Sequence, residues 1–236
     1  MVGVVRRLRS IWPWLDGTTI AATQSAILPE VSPIRYWKRS MDLAISLALL
    51  VALAPLMAAI AGLIRLEGQG PIVFGQQRIG RHGKPFTMWK FRSMYPGSDD
   101  QGHRAAAEAW FAGSPAPHGY KAWKDRRITR VGRVLRRASL DELPQFVNVM
   151  RGEMSLVGPR PAIPYELSLY ENSYFERQAV RPGITGMWQV LGRDRLPATE
   201  MMALDRRYVR ECSPGLDIKI LAYTIPSLFG HRPRKL

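Results

Sequence analysis

The chain is poor in cysteine and in acid. Cys212 is the single cysteine among 236 residues, so no internal disulfide can form and no cysteine-rich zinc site can be built. That usage fits a reducing compartment. Aspartate and glutamate number 19 against 34 lysines and arginines, a formal net charge of +15. An excess of this size points to an anionic partner: nucleic acid, acidic lipid or a phosphorylated substrate. There is no internal repeat and no extended low-complexity tract, which excludes a repeat array. The length allows one modest domain plus an appendage.

Charge is also missing from Leu43 to Ile64. As a helix this run reaches roughly 33 Å, enough to cross a bilayer. It starts too far from the N-terminus and is too long for a cleavable signal. It is apolar on all sides, which favours a membrane segment over a buried core helix. Arg35, Lys38 and Arg39 precede it; Arg65, Arg78, Arg81, Lys84, Lys90 and Arg92 follow. Positive flanks stay in the cytoplasm, so a straight single pass would strand one group on the wrong side. Pro55, near the middle, removes a backbone hydrogen bond and can turn the helix back as a re-entrant hairpin.

Residues 1–34 carry Arg6, Arg7, Arg9, Trp12 and Trp14 without a sustained period and read as an interfacial arm. Trp37 could join them at headgroup level or pack on the domain. Short strands are expected at 72–74 and 85–91 about a Gly/basic turn, and a short Ala-rich helix at 103–112. Further on, the patterns predict an amphipathic helix at 163–179, an irregular backbone-rich segment from Gly183 to Gly192 and a charged helix at 199–211. Residues 216–229 read either as a surface-lying membrane helix or as a final core helix.

Ser139-Leu140-Asp141-Glu142-Leu143-Pro144-Gln145 sets two carboxylates at a helix start. Ser139 and Glu142 have capping-box spacing. Alternatively the helix begins at Pro144, which leaves both acids in the turn before it. An ionised pair can bind a divalent cation, and one member can attack phosphorus. Lys124, Arg126, Arg127, Arg130, Arg133, Arg136 and Arg137 precede the pair with only Asp125 opposing them. Gly158-Pro159-Arg160-Pro161 and Arg181-Pro182-Gly183 each hold one arginine in a stiff segment, as bidentate phosphate recognition requires.

Together these residues resemble the bacterial sugar transferases, the monotopic polyprenyl-phosphate phosphoglycosyltransferases. The resemblance runs over about residues 36–230. It rests on Lys38-Arg39 with Asp42, Gly70-Pro71, Gln77-Arg78-Ile79-Gly80, Lys90-Phe91-Arg92-Ser93-Met94, Asp125 to Gly132, Ser139 to Gln145, Gly152 to Pro161 and Arg181 to Gly192. It implies an α/β fold: a small membrane-associated catalytic domain with a re-entrant N-terminal membrane helix and surface amphipathic helices, at the bacterial inner membrane and facing the cytoplasm. The expected division is an arm over 1–35, the membrane helix over 36–66 and the catalytic domain over 67–236.

The resemblance also implies the activity. A sugar 1-phosphate passes from a nucleoside diphosphate sugar, with UDP the expected carrier, to undecaprenyl phosphate through an aspartyl phosphosugar. Nucleoside monophosphate is released, and an exopolysaccharide, capsule, O-antigen or glycoconjugate is begun. Asp141 would be the nucleophile and Glu142 its partner, both at Mg2+. Arg136 and Arg160 would hold phosphates, with Arg181, Lys90 and Gln189 around the nucleotide sugar or lipid phosphate. Membrane lipids and other glycan-assembly enzymes are the further partners expected, and nucleic acid is not among them. Three departures stand out: Ala54 before Pro55 where relatives carry serine, Arg126 in place of proline, and Met187 and Leu191 in the glycine-rich segment. The rival reading is a membrane-tethered nucleic-acid-binding protein, suggested by the +15 charge.

Overall fold

A computed structural model describes residues 36–95, 101–113, 127–192, 196–231, 233 and 236. The arm with Trp12 and Trp14, and Lys124, Asp125 and Arg126, lie outside the described residues. The fold is mixed helix and sheet. Helix α1 (Tyr36–Glu67) leads into an antiparallel hairpin of β1 (Val73–Ile79) and β2 (Pro85–Phe91). Then follow α2 (Gln101–Phe111), α3 (Arg130–Ala138), a 3-10 turn at Leu140–Glu142 and α4 (Gln145–Arg151). A parallel pair, β3 (Ser155–Val157) and β4 (Gly183–Thr185), brackets two 3-10 segments. Helices α5 (Met187–Leu191), α6 (Ala198–Glu211) and α7 (Pro214–Leu228) close the chain.

The apolar run forms α1 as expected, and the helix continues through Pro55. Its middle is mostly exposed, with Leu47, Val51, Leu56 and Leu63 facing outward, so a buried core helix is ruled out. Both of its ends are tied to one domain. At the start, Arg39 donates to the Val149 and Met150 carbonyls at 2.6 and 2.9 Å, and Lys38 meets Asp217 at 2.5 Å. Asp42 accepts from Ser155 Oγ and the Leu156 amide. At the other end, Ile60 and Ile64 pack with Phe91 and Leu135. Arg92 donates to the Ile64, Gly68 and Gln69 carbonyls, where a helix end leaves acceptors without partners. Glu67 in turn accepts from the Val131 amide in the first turn of α3. Against the upward push of burial, hydrogen bonds from Thr129 and the Val131 and Arg130 amides hold the Glu67 carboxyl below its ordinary value. Trp37 packs against the core around Phe146 and Tyr208, which decides its two readings in favour of packing on the domain.

Several expected elements shift. Gln77 and Arg78 lie within β1 rather than in a turn, because the chain reverses only at Gly80–Lys84, where His82 adopts a left-handed φ of 56°. The helix expected at 163–179 is instead two 3-10 segments, Pro164–Leu169 and Asn172–Ala179. Tyr170 and Glu171 are extended between them and split the run. Gly183 to Gly192 is not irregular; it holds β4 and α5.

Asn148, fully buried on α4, takes the place of a third strand beside β2. Its Oδ1 accepts from the Trp89 amide at 3.0 Å, and its Nδ2 donates to the Thr87 carbonyl at 2.7 Å and to Glu153 at 2.6 Å. Loss of these bonds leaves buried polar groups unpartnered, at about 1–3 kcal/mol each. Asn148→Ala should therefore lower the thermal unfolding midpoint of the detergent-solubilised protein by several degrees. A midpoint equal to that of the parent would mean that this side chain does not hold β2.

Candidate active site

The Asp141–Glu142 turn is shaped by the residues around it. Ser139 ends α3 in the left-handed region, φ 55°, and reverses the chain. Leu140 and Leu143 then pack into the apolar cluster at the end of α1, which pins the turn to that helix. Pro144 precedes α4 as its N-cap, so both acids lie in the turn before the helix. The capping box does not form: the Ser139 side chain makes no capping bond, and Glu142 reaches Lys90 on β2 at 3.2 Å. The Glu142 amide still meets the Ser139 carbonyl, at 3.2 Å.

Asp141 is buried at 5% exposure, and its Oδ1 has no hydrogen-bond partner. A buried carboxylate oxygen left unbonded is costly unless something else meets it. Among the described residues no group of three or more His, Cys, Asp or Glu gathers as a metal cage. Magnesium seldom needs one: it binds through one or two carboxylates plus substrate phosphates. Asp141 and Glu142 fit that donor set.

The expected phosphate-binding residues fall into two groups. Lys90 is bonded to Glu142, and Arg136 lies half-buried in the last turn of α3, just before the acidic turn. Arg130, Arg133 and Arg137 are exposed on α3. Arg160, Arg181 and Gln189 surround the β3–β4 pair. Arg160 meets Glu166 at 3.2 Å, Arg181 donates to the Gly152 carbonyl at 2.8 Å, and Gln189 donates to the Ile184 carbonyl at 3.1 Å. Burial, with Arg39 and Arg81 nearby, depresses the Arg181 guanidinium below its ordinary value.

The glycines here serve close packing. Gly158, Gly183 and Gly186 bring backbone against backbone, so that a methyl group on Gly183 would collide with the Gly158 amide and the Thr185 carbonyl. Other residues of the site carry no signal in sequence periodicity: Asn148, and the buried charged residues Arg78, Glu166, Arg177 and Asp205. Arg177 pairs with Asp205 at 2.6 Å. Burial raises the Asp205 carboxyl to about 6, against the pull of Arg177. Only the Gln77-to-Gly80 motif hinted at Arg78.

The family model described as bacterial sugar transferase matches residues 34–231. An exopolysaccharide production protein, ExoY, of Sinorhizobium fredii is 38% identical over 226 residues, covering 91% of this chain and 97% of that protein. The undecaprenyl-phosphate galactose phosphotransferase of Salmonella typhimurium is 40% identical over 190 residues, 80% of this chain and 40% of its own length. The undecaprenyl-phosphate glucose phosphotransferase of Komagataeibacter xylinus is 42% identical over 210 residues, 82% of this chain and 36% of its own.

Two substitutions separate packing from surface charge at this site. Gly183→Ala should destabilise the fold by about 1–3 kcal/mol, the usual cost of overpacking. Lys90→Met removes a part-buried ion pair, its side chains 21% and 19% exposed, but leaves the backbone packing intact and should cost less than Gly183→Ala. Thermal melts of both variants check this ranking, and the reverse order would contradict the packing described for β3 and β4.

Proposed function

The chain belongs to the bacterial sugar transferase family, and on that premise we propose that it moves a sugar 1-phosphate from a UDP-sugar to undecaprenyl phosphate. The enzyme class follows the relatives: polyprenyl-phosphate phosphoglycosyltransferase. The product begins an extracellular or surface glycan, as the similarity to an exopolysaccharide production protein suggests. The observation that carries the mechanism is a buried aspartate, Asp141, with one oxygen unbonded, on a turn fastened to an apolar helix.

In the first step an Asp141 carboxylate oxygen attacks the phosphorus that bears the sugar. The new O–P bond replaces the bond to UMP, which leaves with the electron pair. In the second, a phosphate oxygen of undecaprenyl phosphate attacks the same phosphorus and returns the Asp141 carboxylate. Splitting the reaction lets the soluble leaving group depart before the greasy acceptor enters. An anion approaching a diphosphate meets charge repulsion, so cationic groups must offset it. Arg136 and Arg160 hold phosphate oxygens, Lys90 orients Glu142, and Arg181 and Gln189 shape the segment beside Arg160. Magnesium, when held by Asp141 and Glu142, supplies further neutralisation of the diphosphate.

Membrane geometry favours the same reading. A straight helix of 32 residues is about 48 Å long. Yet Lys38 to Asp42 and Ile60 to Glu67 bond to a single domain, which lies on one side of a bilayer. This supports a re-entrant or surface-embedded α1 at the inner membrane over a spanning one, with the catalytic domain in the cytoplasm beside the lipid acceptor.

Asp141→Asn should abolish UMP release from a panel of UDP-sugars with undecaprenyl phosphate and magnesium. It should also remove the phosphosugar adduct that mass spectrometry detects with donor alone. Normal turnover in that folded variant would refute the mechanism. For topology, Ser40→Cys and Leu66→Cys should label from the same face of sealed oriented vesicles. Labelling from opposite faces would establish a spanning helix.

A further inference from the structure

The loop that carries Arg160 is gripped at each backbone oxygen. The Pro159 carbonyl accepts from the Gly183 amide at 2.9 Å, and the Arg160 carbonyl from Arg177 Nη2 at 2.5 Å. Next, the Pro161 carbonyl accepts from Arg78 Nη1 at 3.0 Å, the Ala162 carbonyl from the Ile79 amide at 2.9 Å, and the Ile163 carbonyl from the Glu166 amide at 3.0 Å. The two carbonyls served by side chains belong to successive peptide units, Arg160–Pro161 and Pro161–Ala162. Both donors are buried guanidiniums, 6% exposed at Arg78 and 3% at Arg177.

Burying a guanidinium is costly, and backbone amides hold the neighbouring carbonyls without it. Each arginine is itself held. Arg177 pairs with Asp205 on α6 at 2.6 Å and donates to the Tyr170 hydroxyl at 2.8 Å, and Arg78 donates to Gln76 at 2.7 Å. Charge-assisted bonds are short and directional, so they fix the orientation of the peptide planes they grip. They also turn the negative ends of two carbonyl dipoles inward. Those two carbonyl oxygens are then engaged by cations and do not oppose a phosphate that approaches the Arg160 guanidinium, whose Nη1 also meets the Glu166 carboxylate. Glu166 completes the arrangement by accepting from both Arg160 Nη1 and the Ile163 amide.

We propose that Arg78 and Arg177, the latter backed by Asp205, are positioning residues that hold the Arg160 loop in the orientation needed to receive a substrate phosphate. The assignment rests on the reading of Arg160 as a phosphate-holding group.

The test is a double-mutant cycle on the purified full-length chain, assayed below its unfolding midpoint with undecaprenyl phosphate and whichever radiolabelled UDP-sugar supports turnover. Arg177→Lys keeps the charge but loses the planar fork, and should lower kcat roughly ten- to a hundredfold through misplacement of Arg160. In the Arg160→Ala background the same change should alter kcat by no more than about twofold, because the group being positioned is gone. A role in stability alone would give the same factor in both backgrounds, and that result overturns the proposal. So does unchanged kcat in the single variant. Full turnover in Arg160→Ala by itself would overturn the phosphate reading of Arg160 and the positioning role with it, whereas a deep loss there with additive doubles removes the positioning role alone. Arg78→Lys runs the same cycle if Arg177→Lys does not fold.

Discussion

The constraint on which the architecture depends is that α1, uncharged from Leu43 to Ile64 and apolar and exposed along its middle, keeps both of its charged ends bonded to one small domain. Arg39 and Asp42 fasten the start of α1 to α4 and β3. Arg92 and Glu67 fasten its end to the segment after β2 and to α3. The Asp141–Glu142 turn sits at the second of these attachments, because Leu140 and Leu143 pack into the same apolar cluster as Ile60 and Ile64. The long apolar helix and the candidate site are therefore one piece of structure.

Among the described residues, arginines serve two different uses. Arg78, Arg92 and Arg177 are buried and spend their donors on backbone carbonyls of the protein itself. Arg130, Arg133 and Arg137 remain on the exposed face of α3. A nucleic-acid-binding surface would need the cations as an outward stripe, and several of the arginines in the motifs face inward instead. Net charge alone suggested an anionic partner but could not separate these two roles. Only the carbonyls around each guanidinium do.

Much of the outline was legible in the chain. The apolar run predicted α1, and the strand expected at 85–91 is β2. The charged helix expected at 199–211 is α6 within one residue. Pro144 predicted a helix starting after the acids, whereas the capping-box spacing of Ser139 and Glu142 misled, since Lys90 from a distant strand captures the Glu142 carboxylate. Periodicity failed at 163–179, where Glu166 bonds the Ile163 amide and Arg160 and so draws the chain into a 3-10 path. The glycines of 183–186 suggested an irregular segment, but they serve the approach of two backbones.

What the sequence determined by itself was whatever depends on near neighbours: the uncharged length of α1, the adjacency of Asp141 and Glu142, and the stiffness that prolines impose around Arg160 and Arg181. Tertiary structure alone decided which partner each charge meets. It set Lys90 against Glu142 and Arg177 against Asp205, and it directed two guanidiniums at the carbonyls beside Arg160. The physical reason is range. Helix, turn and hydrophobic length follow from dihedral preference and local burial over a few residues, whereas a buried ion pair forms only when packing brings distant segments within about 4 Å and removes the water between them.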